Sequence, residues 1–363
     1  MRILHVITTI ERGGAEKQLL ILVREQIKSG LNVSILYLNG LGSLRSEFER
    51  IGANVIGKYS NKLFILQLLF GFFQCKNYDI IHSHLPKSEI YSSIVFFKKF
   101  KVITRHNAEP FFPRKNIYLS RLLSRIFTLN AKVIIAISHT VHDYLRNSKE
   151  ISTQKKIVVI YYGYDISNAK LTRSKNEIPI ILTIARLVNQ KNLFTLLDAY
   201  SQVRKEMNCE LLIIGDGVLK NELVEYAHIL GISKNVTWLG RIDNVNNYLS
   251  QCDVFTLTSY YEGFGLVLLE ALQQECAIVA SNVSAIPEVL GADFMGLFNP
   301  HNSSELKNKL IFALDPLGNS QLKKMGSLRL NLFLPSKMNQ QLMNVYSLYI
   351  SNMSRQNCSD SRF

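Results

Sequence analysis

Cysteine is scarce: Cys75, Cys209, Cys252, Cys276 and Cys358 are scattered, odd in number and include no C-x-x-C pair. That excludes a disulfide framework and a zinc knuckle and fits a reducing compartment. Long apolar runs are missing too. The longest, "LFILQLLFGFF" at 63–73, has eleven residues, about half of what a transmembrane helix requires. The opening "MRILHVITTIERGGAE" lacks the small-residue cleavage site of a signal peptide, since charged residues and a glycine pair follow its apolar stretch, so it reads as a first strand. No zinc finger, RNA-binding signature, internal repeat or low-complexity segment is present, and no nucleic acid partner is expected.

What remains is globular. Hydrophobic residues make up 47% of the 363 and charged residues 19%, well away from disordered compositions. The length exceeds what one core usually supports, so two domains are expected. Charge is uneven: residues 1–170 hold 25 Lys and Arg against 11 Asp and Glu, whereas residues 171–363 hold 17 of each. The whole excess of +14 is N-terminal, which points to an anionic membrane or a phosphate-bearing ligand.

Short, continuously apolar runs alternate with helix-length segments: "RILHVITT", "NVSILYL", "YDIIHSH", "KVITRHN", "KVIIAIS" and "KIVVIYYG", then "IPIILTIARL", "CELLIIGDG", "NVTWLG", "CDVFTLTS", "CAIVAS" and "MGLFN". Such runs belong to parallel sheets covered on both faces. The fold class is therefore α/β, with two doubly wound Rossmann-like domains facing an interdomain cleft. Polar residues and a proline place the boundary within 165–179. The expected division is a first domain at 1–166, a second at 167–335, a terminal helix at 336–350 packing back on the first domain, and a mobile tail at 351–363.

Three segments carry candidate chemistry. In "TTIERGGAEKQLL" a strand runs into Gly13 and Gly14 and then a helix, where backbone N–H groups can approach a phosphate; an unliganded glycine turn is the alternative. "LLIIGDGVLK" has G-x-G after a strand, but Lys220 stands where a dinucleotide fingerprint needs its third glycine, so NAD is not expected. Arg186 and Lys191 follow a strand in "IARLVNQKN", and a diphosphate would satisfy both cations. Lastly, "SYYEGFGLVLLEAL" sets Glu262 on a glycine turn and Glu270 one turn into the next helix. Backbone donors of Gly263, Phe264 and Gly265 suit a phosphate, and the carboxylates suit hydroxyls on either side of it. That combination describes a nucleotide sugar.

These motifs together resemble the retaining glycosyltransferases of family four, which have the GT-B fold. The resemblance spans nearly the whole chain. It rests on the E-x7-E pair Glu262 and Glu270 within "EGFG", supported in order by "GGAE", "IIHSHL", "TRHN", "AISHTV", "IARLVNQKN", "IIGDG" and "IPEVL". It implies that Arg186 and Lys191 bind the donor diphosphate and stabilise the leaving group, that Glu262 holds hydroxyls of the transferred sugar and that Glu270 holds the ribose. It also implies that His106 lies beside the donor sugar, that amides of Gly13, Gly14 and the "EGFG" turn approach the phosphates, and that Ile242 contacts the base. His82 and His84 form an H-x-H pair on a strand, but no third metal ligand is evident and a structural or acceptor-side role is preferred. With no D-x-D present, the donor is expected to bind without metal or other cofactor. Tyr162, Asn192 and Ala285 stand where the family commonly has asparagine, glycine and glycine.

The implied reaction moves a hexosyl group from a nucleoside diphosphate sugar to a hydroxyl with retention, the leaving phosphate taking the acceptor proton. Lys58, Lys62 and Lys76 flank the 63–73 segment, and Lys98, Lys99, Lys101, Arg114, Lys115, Arg121 and Arg125 extend the positive field. The expectation is a cytoplasmic enzyme peripheral to the inner face of the cell membrane, with a lipid-linked saccharide acceptor in surface-polysaccharide assembly such as O-antigen, lipopolysaccharide or capsule. A solvated basic surface with a buried core helix at 63–73 is the alternative. The rival functions are a nucleotide-sugar epimerase of the same fold and a catalytically silent nucleotide-sugar-binding partner.

Overall fold

The computed structural model describes residues 1–57, 60–74, 77–112, 116–165 and 176–360, and their side chains except those of 72–74 and 349–360. Most of the 165–179 boundary segment, together with Lys58, Lys76, Arg114 and Lys115, thus lies outside the described residues. The chain forms two compact units, Met1–Asp165 with Phe333–Phe363, and Ile166–Leu332.

In the first unit, β1 (Arg2–Ile7), β2 (Asn32–Tyr37), β3 (Asn54–Ile56), β4 (Ile80–His84), β5 (Phe100–Arg105), β6 (Ala131–Ala136) and β7 (Lys156–Val159) form one sheet in the order β3-β2-β1-β4-β5-β6-β7. Every pairing is parallel. Helical crossovers cover both faces, so β4 and β5 are buried along their full length. Ile3, Ile7, Val23, Ile35, Phe48 and Val102 anchor the larger core cluster. Each such side chain stabilises the fold by about 1.5–3 kcal/mol relative to exposure.

The terminal helix Pro335–Asp360 adds Met338, Leu342, Val345 and Tyr346 to that same cluster. It continues ten residues past the expected end at 350. No glycine or proline occurs between 336 and 360 to stop it.

In the second unit, β8 (Ile180–Ile184), β9 (Glu210–Ile214), β10 (Val236–Gly240), β11 (Val254–Leu257), β12 (Ala277–Ser281) and β13 (Leu297–Phe298) run in the order β10-β9-β8-β11-β12-β13, again all parallel. Both sheets reverse strand order beside their first strand, between β1 and β4 and between β8 and β11. Ligands of doubly wound sheets bind at the carboxyl ends of the strands at such a point. The Sγ atoms of Cys252 and Cys276 are 3.6 Å apart, a thiol hydrogen-bond separation, whereas a disulfide needs about 2.05 Å.

Two helices of the first unit bury polar side chains and turn several apolar ones outward. In Phe64–Gln74, Gln67 is buried and its amide donates to Leu38 O at 2.7 Å, while Ile65, Leu66 and Leu69 face solvent. In Ile117–Thr128, the small polar residues Ser120, Ser124 and Thr128 face inward, and Ile117, Tyr118, Leu119, Leu122 and Ile126 are exposed. The helix covering most of 63–73 is therefore buried on one face only: Phe64 and Leu68 pack against a second core cluster around Leu4, Val6 and Ile81, while Leu63, Ile65, Leu66 and Leu69 are exposed. Lys101 also departs from expectation. It is 2% exposed at the start of β5 and adds nothing to the surface field.

Candidate active site

The cationic loop after β8 owes its position to two glycines. A Cβ at Gly215 would lie 1.8 Å from Ala185 O, and one at Gly217 would lie 2.4 Å from Leu187 O. The turn after β9 can therefore press against the segment carrying Arg186. Leu187 N donates to Asp216 O at 3.0 Å, and Leu219 N to Leu187 O at 3.0 Å. Ala185 and Leu187 are buried while Arg186 between them is exposed. The "IIGDG" glycines thus serve loop packing, a role invisible when they are tested only as a dinucleotide fingerprint.

Arg186, Lys191 and Glu262 come together in one network. Arg186 donates to Gln190 Oε1 at 3.2 Å, and Gln190 Nε2 donates to Tyr261 O at 2.9 Å. Lys191 lies in a short 3-10 turn at Asn189–Lys191, and its Nζ pairs directly with Glu262 Oε1. Ser259 Oγ donates to that same carboxylate oxygen at 2.6 Å. Sequence reasoning gave Lys191 and Glu262 separate ligands, and it missed Gln190 and Ser259. Neither carries charge; Arg186–Gln190 and Ser259–Glu262 are local contacts, and the Gln190–Tyr261 and Lys191–Glu262 bonds that join them form only once β8 and β11 are neighbours.

Asn192 closes this loop at φ +51°, the left-handed region in which glycine is unstrained and asparagine is tolerated. Its amide donates to Pro300 O at 2.8 Å, and Thr195 Oγ1 donates to its Oδ1 at 2.7 Å. The glycine usual in the family is thus replaced by the residue next best suited to that backbone. Gly265, at φ +84°, begins helix Leu266–Gln273, and Glu270 is the fifth residue of that helix. Phe264 is buried, and Gly263 and Gly265 are partly exposed in the turn between β11 and the helix. Ile242 follows β10 at the far edge of the sheet. An open recess of about 540 Å³ lies at the ends of β11, β12 and β13, with Tyr260 stacked on His301 at 5.2 Å.

In the first unit, Gly13 caps helix Gly14–Lys28. A Cβ on Gly13 would sit 2.3 Å from Glu16 Oε2, and Glu16 accepts from Thr9 Oγ1 at 2.6 Å. The chain's own carboxylate thus stands beside the amides expected to meet phosphate. His106 follows β5, whose last residue Arg105 is buried with two carboxylates. Arg105 pairs with Glu89 at 2.9 Å and Glu150 at 3.5 Å. Burial pushes Glu89 up to about 7 despite the nearby guanidinium. His106 Nε2 is 3.2 Å from His84 Nδ1, and its Nδ1 meets the Tyr162 hydroxyl. His5, unremarked in the sequence, joins His82 and His84, their nearest ring nitrogens all within 4.8 Å of one another.

Two family models match consecutive parts of the chain: Glycosyltransferase Family 4 at residues 12–168, and Glycosyl transferases group 1 at residues 167–325. The chain belongs to the family-four glycosyltransferases. A capsular polysaccharide biosynthesis glycosyltransferase, CapH of Staphylococcus aureus, is 25% identical over 80% of this chain and 83% of its own. The Campylobacter jejuni N-acetylgalactosaminyltransferase acting on N-acetylgalactosamine-N,N'-diacetylbacillosaminyl-diphospho-undecaprenol is 33% identical over 39% of this chain and 40% of its own. Anabaena HepE, solved with UDP and glucose, superposes with a TM-score of 0.80 at 20% identity, over 96% of this glycosyltransferase and 99% of HepE. That likeness speaks for the GT-B fold.

Proposed function

We propose that this glycosyltransferase moves a hexosyl group from a nucleoside diphosphate sugar, with retention, to a hydroxyl of a lipid-linked saccharide during surface-polysaccharide assembly. The observation that carries the reading is the Arg186–Gln190 and Lys191–Glu262 network at the strand-order reversal of the second sheet. Two cations and one acceptor-only carboxylate at the ends of β8 and β11 suit a diphosphate and the hydroxyls of an attached sugar. Donor binding would exchange the Lys191–Glu262 contact for Lys191 on phosphate and Glu262 on sugar. Arg186 and Lys191 then stabilise charge developing on the leaving diphosphate, which accepts the proton of the incoming hydroxyl.

In this proposal Glu270 holds the ribose, Ile242 the base, and the amides of Gly13, Gly14, Gly263, Phe264 and Gly265 approach the phosphates. His106 lies beside the sugar, and neither metal nor cofactor is needed because cations and amides hold the donor. The Campylobacter relative's diphospho-undecaprenol-linked acceptor supports the lipid-linked saccharide. CapH supports surface polysaccharide as the product.

The two helices with outward apolar residues support a peripheral site of action on the inner membrane face. Phe64–Gln74 and Ile117–Thr128 both pack against helix Pro86–Val95, and Ile94 in that helix and Phe97 just after it are exposed as well. In sequence, Lys62 and Lys98 stand next to these segments, and Arg121 and Arg125 lie within Ile117–Thr128. Cations near an anionic surface contribute about 1 kcal/mol each, and buried apolar groups add to that. No helix among the described residues is long and apolar enough to cross a membrane.

A thermal-shift screen against UDP, GDP, ADP and NAD with chelator tests the donor site. A nucleoside diphosphate at a hundred times its dissociation constant should stabilise by about 2.7 kcal/mol. Product analysis with the matching sugar nucleotide then decides between transfer, epimerisation and silent binding. Absence of any shift, or a shift with NAD alone, counts against the proposal.

A further inference from the structure

Five side chains of the first unit make one unbroken hydrogen-bond chain. Gln26 Oε1 is 2.8 Å from His5 Nε2, His5 Nδ1 is 3.0 Å from His84 Nε2, and His84 Nδ1 is 3.2 Å from His106 Nε2. The Tyr162 hydroxyl meets His106 Nδ1 at the other end. All five are buried. Burial lowers His5 to about 4 and His106 to about 3, and holds His84 well below its ordinary value. Neighbouring groups are Arg105 beside His106, His82 beside His84 and Glu16 near Tyr162.

A neutral imidazole has one donor and one acceptor nitrogen, so the bond made at one fixes the other. Gln26 Oε1 only accepts, and His5 must therefore carry its proton on Nε2. His5 Nδ1 is then an acceptor, which requires Nε2–H on His84. His84 Nδ1 in turn requires Nε2–H on His106, whose Nδ1 accepts from Tyr162. Every bond is satisfied in this polarity, whose direction follows from Gln26 presenting its oxygen to His5; turning that amide round would reverse all three tautomers together.

We propose that Gln26, His5 and His84 are positioning residues that set the tautomer of His106 and withdraw both its ring nitrogens from proton transfer. His106 then serves as a neutral, oriented ring, held at its outer end by the Tyr162 that replaces the family's asparagine. A metal reading of the same cluster is less well supplied. The two nitrogens of His82 meet the Tyr346 hydroxyl at 2.7 Å and Thr104 Oγ1 at 2.7 Å, so an ion would have to displace such bonds. The consequence for transfer rests on the proposed place of His106 at the donor sugar, but the tautomer assignment does not.

Long-range proton–nitrogen spectra of the full chain labelled with 15N-histidine test the assignment. At pH 7, His5, His84 and His106 are expected as neutral Nε2–H rings. Gln26→Met, which removes the bond to His5 and also changes the contact of Gln26 with Tyr346, should shrink the 15N separation between the two nitrogens of His106 by about a tenth or more as its tautomers mix. Tyr162→Phe should do the same from the other end, and it carries the test if Gln26→Met does not fold. The proposal is overturned by His106 found as Nδ1–H or imidazolium, by a His106 signal indifferent to both changes, or by stoichiometric zinc uptake lost in His82→Phe. Transfer assays on the unmodified chain stand apart: their failure would sink the proposed function and leave the tautomers as measured.

Discussion

At the strand-order reversal of the first sheet the polar side chains are His5, His82 and His84, buried and held neutral. At the corresponding point of the second sheet they are Arg186, Lys191 and Glu262, which carry formal charge and retain some access to solvent. The same topology has been filled in two ways. Burial without a counter-charge removes charge from an imidazole, so the first site can orient but cannot neutralise an anion. A partly open ion pair keeps its cation at a desolvation cost a ligand can offset, so the second site can.

Removing a cation from the second site should have the largest effect. Arg186→Ala is expected to lower kcat about a hundred- to a thousand-fold, the usual loss for one group stabilising developing charge. Lys191→Ala should match it and also leave Glu262 with only Ser259 of its described partners. Steady-state kinetics with the identified donor check both. Losses as large from Gln26→Met would erase the distinction between a charge-stabilising site and an orienting one.

Acid should separate the two units next. The buried histidines of the first unit stay neutral in the fold but protonate near pH 6.5 once unfolded. Their stabilisation is complete above about pH 6.5 and is lost as pH falls toward their lowered values, because the unfolded chain then binds more protons. Glu89, raised to about 7, acts oppositely between about 4.5 and 7, but it is one group against four. The expected loss is on the order of 1 kcal/mol per pH unit for each uncompensated histidine. Hydrogen exchange resolved over 1–165 and 176–332 should locate it in the first unit, and equal losses in both would break the contrast.

A smaller effect is expected at the membrane face. Leu66→Asp with Leu122→Asp should weaken co-sedimentation with anionic vesicles about tenfold or more, since each change replaces an exposed apolar group with a repelled carboxylate. Unchanged, salt-sensitive binding would show that lysines and arginines suffice without these exposed apolar residues.

The smallest change expected lies beside the donor loop. Asn192→Gly should alter stability by no more than about 1 kcal/mol, because lost hydrogen bonds are offset by an unstrained left-handed backbone. Asn192→Ala should cost about 2 kcal/mol, adding backbone strain to the same losses. Chemical denaturation distinguishes the pair.

Much of this was legible in the chain itself. The continuous apolar runs specify parallel strands because only a sheet covered on both faces buries them, and β1, β4, β5, β6, β8, β9, β11 and β12 all fall where those runs lie. "EGFG" likewise marks a turn before a helix through glycine chemistry alone. His5 gave no such signal. A single histidine in "RILHVI" gains its meaning from His84, 79 positions away and hydrogen-bonded to it. Arg105, within "TRHN", likewise gave no signal in the sequence, and its partners Glu89 and Glu150 meet it only in the core.

Local pattern therefore determined the two α/β domains, the glycine turns and the identities of the cations and carboxylates, because periodicity and backbone freedom act over a few residues. Tertiary structure alone decided that Lys191 pairs with Glu262, that Gly215 and Gly217 make room for the Arg186 loop, and that two apolar helix faces turn outward. Those outcomes depend on which strands become neighbours and on how much water remains around each group. Both are properties of the packed chain.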